Sequence, residues 1–158
     1  MTPAFMKRFF QLGYVTPDLA AAQALYKERL GVSQFLTFNT AERNPDLANP
    51  ILVGLAWTGE TMIELIQPIA DGHPLYECAM PQEGVRLHHL GYLMYDRAEY
   101  DEALGWLDAQ RIPVVSHSKM EGMLELVYAD ARDLLGHHLE IIHMLPEGRA
   151  FFEQVPQN

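Results

Sequence analysis

The chain has 158 residues, of which 49% are hydrophobic and 20% charged, enough to bury one globular core and too apolar for a disordered chain. Its formal net charge of -10 and pI near 5.0 exclude phosphate backbones and anionic lipid as electrostatic partners. Cys78 is the only cysteine, so no internal disulfide can form, and its acidic neighbour Glu77 disfavours a reactive thiolate.

In chain order, Phe9 to Val15 predicts a strand with Gln11, Gly13 and Val15 on one face and Leu12 and Tyr14 on the other. Thr16-Pro17-Asp18 starts a helix, with Thr or Asp as the cap. Leu19, Ala22, Leu25, Tyr26 and Leu30 form its apolar stripe, and Gly31 stops it. Val32 to Phe38 reads as a strand, and residues 39–50, with three Asn and two Pro, as a loop. Ile51 to Thr58 and Thr61 to Gln67 flank Gly59-Glu60 as a hairpin. Pro68 to Gly84 is a linker with three Pro and two Gly.

After the linker the pattern restarts. Val85 to Tyr95 reads as a strand, and Asp96 with Glu99 as a reciprocal capping box. Tyr100, Ala103, Leu104, Leu107 and Ile112 mark the next helical stripe, and strands follow at Pro113 to His117, Leu124 to Ala129 and His137 to Met144. Asp130 to Gly136 is a turn, and the tail from Pro146 carries a short helix with Phe151 and Phe152. The expected organisation is one domain over residues 1–158, built from modules at about 7–68 and 85–145, with a linker at 68–84 and a tail at 146–158. No apolar run follows Lys7 and Arg8 as a secretory signal would need, and none reaches the ~20 residues of a membrane span, so the cytoplasm is the expected location.

Two strands carry nearly the same words: Gln11-Leu12-Gly13-Tyr14 and His89-Leu90-Gly91-Tyr92. Each is followed by an acidic strand, Met62-Ile63-Glu64-Leu65-Ile66 and His138-Leu139-Glu140-Ile141-Ile142. Gln11 and His89 are 78 positions apart, as are Asp18 and Asp96, so one βαβββ unit is written twice. A single Glu within an apolar strand belongs on a solvated sheet face. Two at matched places in a repeat, accompanied by a Gln and a His at matched places, form a metal-ligand pattern: Gln11, Glu64, His89 and Glu140. Three oxygen donors and one imidazole suit Zn²⁺, Ni²⁺, Co²⁺ or Mn²⁺. His88 is expected on the opposite strand face from His89, and His138 on the face of Glu140. His73, His117, His137 and His143 read as surface or packing residues. Arg43, Arg86, Lys119 and Arg149 are the cations available to a substrate anion.

The doubled βαβββ unit, with Leu87-His88-His89-Leu90-Gly91-Tyr92, Leu135-Gly136-His137 and Leu139-Glu140-Ile141 as its most specific pieces, resembles the vicinal oxygen chelate superfamily from about Phe9 to Met144. The resemblance implies an α+β fold in which tandem βαβββ modules form a curved mixed β-sheet, a partial barrel around a metal cleft. It puts the four ligand positions on Gln11, Glu64, His89 and Glu140, and implies a homodimer. A Gln, Glu, His, Glu set is similar to glyoxalase I of the eukaryotic type. Glu64, however, runs into Leu65-Ile66-Gln67-Pro68 where glyoxalase I has a polar Asn-Trp-Gly segment, an ending more like the methylmalonyl-CoA epimerases. The implied activity is a metal-dependent lyase or isomerase that moves a proton through an enediolate on a small carbonyl, thiohemiacetal or acyl-CoA substrate, with Glu140 and Glu64 as bases. The alternatives are a metal-free small-molecule binding or resistance protein, or an extradiol dioxygenase, which requires Fe²⁺ on two His and one carboxylate.

Overall fold

A computed structural model describes residues 2–158, in two compact units. One takes the chain up to Gln11 with His89–Gln154, and the other Leu12–His88 with Val155–Asn158. The strands are β1 (Phe9–Val15), β2 (Leu36–Asn39), β3 (Ile51–Thr58), β4 (Thr61–Pro68), β5 (Arg86–Met94), β6 (Val114–Met120), β7 (Leu124–Ala129) and β8 (His138–Met144). The helices are α1 (Leu19–Leu30), α2 (Thr40–Arg43), α3 (Arg97–Ala109), α4 (Arg132–Leu135) and α5 (Pro146–Phe152). The fold is α+β and the repeat is real: strand order runs β2-β3-β4-β1 in one half and β6-β7-β8-β5 in the other, each the same βαβββ path.

In the unit containing Leu12–His88, α1 begins where the Asp18 carboxylate accepts the Ala21 N–H at 3.0 Å. It ends at Gly31, which takes φ 76°, a left-handed conformation that glycine adopts without steric cost. Its buried face is narrower than the predicted stripe. Leu19, Ala22 and Tyr26 are buried against Ala56, Ile63 and Leu65, whereas Leu25 and Leu30 are exposed. The strand predicted from Val32 begins only at Leu36. Val32 donates its N–H to Tyr26 O and packs into the core as the hydrophobic residue after a glycine C-cap, and the N–H groups of Ser33 and Gln34 are taken by Asn158 Oδ1 at 2.9 and 3.0 Å. With those donors already satisfied, no ladder forms there. The predicted loop at residues 39–50 contains α2, capped by Asn39 through Ala41 N–H. Ile63 and Leu65 of β4 face α1, so alternation turns Met62, Glu64 and Ile66 to the other face. There Ile66 meets Val15 and Tyr76.

In the unit containing His89–Gln154, α3 packs on one face of its sheet. Tyr100, Ala103 and Leu107 are buried with Tyr92, Met94, Leu139 and Ile141. Asp96 caps α3 through Ala98 N–H (2.7 Å) and Glu99 N–H (3.3 Å). The other arm of the expected capping box does not form, because Glu99 is an ion-pair partner of Arg8, near the chain start. The predicted turn at 130–136 holds α4, ended by Gly136 at φ 81°. β6 runs on to Met120, three residues beyond its predicted end. α5 lies so close to the β6–β7 turn that a Cβ on Gly148 would stand 2.3 Å from Met123 O, and Phe152 lies 6.1 Å from the Phe10 ring. Among the described residues, no helix is long and apolar enough to cross a membrane.

Candidate metal centre

β5 and β8 run parallel, with His89 opposite His138 and Gly91 opposite Glu140. β7 continues the ladder, placing Tyr128 opposite Glu140. Because Leu139, Ile141 and Tyr92 face α3, alternation turns His89, Gly91, His138 and Glu140 to the opposite face. That face carries the unit's polar interior: His89 is 0%, His138 3%, Glu140 3% and Gln11 2% exposed. Charged and amide side chains are seldom buried so completely without a partner that compensates their lost hydration.

His89 Nε2 and Glu140 Oε2 lie 3.3 Å apart. Glu140 Oε2 is buried and accepts no hydrogen bond, and it meets the imidazole at a distance at which both atoms can serve one ion. Two donors each ~2.1 Å from one ion stand about 3.0–3.4 Å apart, and the observed separation falls in that interval. The Tyr128 ring stands edge-on to the His89 imidazole at 5.1 Å and 81°, which fixes the imidazole plane. Gln11 reaches the same face from β1: a Cβ built on Gly91 would lie 2.6 Å from Gln11 Oε1. The donor set of this unit is thus one imidazole, one carboxylate and one carboxamide, buried together, and it fits a divalent ion of borderline character.

Glu64 belongs to the other unit. It stands half-buried on β4 opposite Leu55, on the face away from α1 and between Met62 and Ile66. In that unit the His88 ring nitrogen Nε2 is 3.0 Å from Leu75 O, and its ring packs on Tyr76 at 4.9 Å. His117 hydrogen-bonds Glu125, His143 packs on Tyr100, His137 contacts its neighbour's carbonyl, and His73 packs on Tyr76. Of the candidate cations, Lys119 pairs across from Glu125, on the α3 side of β6 and β7 and not the side of Glu140. Arg149 stacks on Tyr95 at 4.4 Å and Arg43 on Phe38 at 5.6 Å. Sequence reasoning passed over Tyr128, because only the β7–β8 register shows that it neighbours Glu140.

Electrostatics away from this face are arranged in local pairs. Burial alone would raise the Glu125 carboxyl, but hydrogen bonds from His117 and the charge of Arg97 outweigh it and hold the group below the ordinary carboxylate range. Arg132 holds the Asp130 carboxyl well below its usual range through a two-pronged hydrogen bond at 2.8 and 2.6 Å. Burial pushes the Tyr100 hydroxyl up to about 12.

Solved structures share this fold. A methylmalonyl-CoA epimerase from Mycobacterium tuberculosis is 16% identical, over 95% of this chain and 96% of that one, with a TM-score of 0.64. A variant of the Streptomyces coelicolor methylmalonyl-CoA epimerase in complex with 2-nitronate-propionyl-CoA is 15% identical, over 87% and 94%, with a TM-score of 0.62. A methylmalonyl-CoA epimerase in complex with methylmalonyl-CoA and NH4+ gives the same figures. No curated protein matches the chain significantly. Residues 10–127 match the model of the Glyoxalase/Bleomycin resistance protein/Dioxygenase superfamily, and the chain belongs to that superfamily.

Proposed function

We propose that this protein is a metal-dependent isomerase or lyase that moves a proton beside a carbonyl, with Gln11, Glu64, His89 and Glu140 as ligands of one divalent ion. The observation that carries the reading is the buried His89–Glu140 contact at 3.3 Å, with the Gln11 carboxamide on the same face. Glu64 joins the set through the repeat, since it holds in the first module the place that Glu140 holds in the second.

A divalent ion held there would supply Lewis-acid stabilisation for negative charge developing on a substrate oxygen. The chain's own residues do the rest. The Glu140 carboxylate, through the oxygen that does not hold the ion, takes the proton from the carbon next to the carbonyl and returns it. Glu64 is the second carboxylate for a transfer between two faces or two carbons. His89 is held by its edge contact with Tyr128, so the donor geometry persists through turnover. Leu126 and Ile142, neighbours in register on the same face, make the surroundings apolar and limit water's access to the carbanionic intermediate.

The substrate is a small carbonyl, thiohemiacetal or acyl-CoA. Acyl-CoA is favoured by the solved epimerases, one of which binds methylmalonyl-CoA, and by the Gln67-Pro68 ending of β4. Protein purified without a metal-affinity tag and loaded with Zn²⁺, Ni²⁺, Co²⁺ or Mn²⁺ is to be screened against methylmalonyl-CoA and against methylglyoxal with glutathione. Turnover of either by the loaded protein only, with Glu140→Gln retaining the ion but losing turnover, is expected. A fully active Glu140→Gln would remove Glu140 as the base, and a protein that takes up no ion would overturn the metal-dependent reading.

A further inference from the structure

We infer that Gly91 is a positioning residue for the metal centre, whose missing side chain makes the space in which the Gln11 carboxamide is held. The inference rests on the proposed metal site and adds to it what decides whether Gln11 belongs to the donor set. Glycine in the middle of a strand weakens it and commonly marks a close approach by another group. Gly91 sits inside the nine-residue strand β5, and its backbone lies outside the left-handed region, so the conformation does not require glycine. The space does. A Cβ at residue 91 would lie 2.6 Å from Gln11 Oε1, 2.8 Å from Gln11 Cβ and 3.0 Å from Phe10 Cε1. Two of these three atoms belong to Gln11, and its Cβ is held by the β1 backbone and cannot rotate aside.

The position matters for chemistry. Gly91 is two residues from His89, on the same face of β5, and is the ladder partner of Glu140 on β8. The carboxamide that covers Gly91 is therefore held beside the segment that presents the imidazole and the carboxylate. Any larger residue at 91 would drive the carboxamide from this place while leaving His89, Tyr128 and Glu140 on their own strands. Gly91 thus sets the number of donors, and the Leu-Gly-Tyr wording around it has a chemical reason in addition to its inherited one.

The test is a double-mutant cycle read by titration of Co²⁺ alone, followed by its visible absorption and by thermal melting, on wild type, Gly91→Ala, Gln11→Gly and the double variant. Gly91→Ala and Gln11→Gly are each expected to weaken Co²⁺ binding about 10–100-fold and to alter the visible spectrum in the same way. The double variant should bind no more weakly than either single one, because both changes remove the same donor. Gly91→Ala should also melt about 2–12 °C lower, from overpacking, and the double variant should recover most of that loss. Binding by Gly91→Ala equal to wild type, or a double variant that multiplies the two losses, would overturn the inference. If Gly91→Ala does not fold, recovery of the fold in the double variant supports the inference and its failure to recover overturns it. Wild type that binds no Co²⁺ at all overturns the metal site itself, a result distinct from these.

Discussion

The buried carboxylate of Glu140 gives a prediction that can be checked without any substrate. Glu140 is 3% exposed and its Oε2 lies 3.3 Å from His89 Nε2 without a hydrogen bond. An ionised carboxylate so deeply buried costs several kcal/mol unless a cation compensates it. Wild type stripped of metal should therefore be destabilised, and an ion at about 1,000 times its Kd should add about 4 kcal/mol. For a domain of this size, that is a rise in Tm of about 8–16 °C. Glu140→Gln keeps the shape but removes the charge. Its metal-free form should melt above metal-free wild type, whereas its ion-induced rise should shrink to about 3–11 °C if affinity falls 10–100-fold. Thermal melts followed by circular dichroism, with chelator and then with Ni²⁺ or Co²⁺, measure all four states. Equal melting of wild type with and without ion, or a full ion-induced rise in Glu140→Gln, would refute the reasoning.

Two further outcomes follow from the fold and the charge pairs. Leu107 is 0% exposed between α3 and β8, so Leu107→Ala should cost about 2–5 kcal/mol in chemical denaturation; a loss under about 1 kcal/mol would mean that the site collapses around the missing atoms. Glu125 and Asp130 are both held below the ordinary carboxylate range, so the stability they confer is complete above about pH 4.5 and is lost as pH falls through their folded values. Unfolding midpoints measured from pH 6 to pH 2 should fall over the acid end of that range and fall less in Glu125→Gln, and an unchanged acid slope in that variant would remove the pair with Arg97 and His117 from the account.

Much of the fold was legible in the sequence because its signals are local. The Asp18 and Asp96 caps, the Gly31 stop and the hairpin at Gly59-Glu60 each depend on residues within a few positions of one another, and each stands where it was expected. Three of the departures come from packing or partners distant in sequence. Val32 to Phe35 is not strand because Asn158, at the far end of the chain, takes the N–H groups of Ser33 and Gln34. Glu99 leaves its capping box for Arg8, and Leu25 and Leu30 face outward because α1 meets its sheet along a narrower line than its apolar residues suggest.

The site divides in the same way. The sequence by itself determined the doubled unit, the α+β class, the strand of each candidate ligand and, through the shared Leu-Gly-Tyr, which of two adjacent histidines stands in register with Gln11. Duplication copies residues in order, so their equivalence survives in one dimension. Only the tertiary structure decided that His89 and Glu140 meet at 3.3 Å, that Tyr128 stands edge-on to the imidazole, and that the Gln11 carboxamide occupies the space above Gly91. Those facts are contacts between residues 39 to 80 positions apart in sequence, set by burial of whole strand faces and leaving no mark in the residues beside any one ligand.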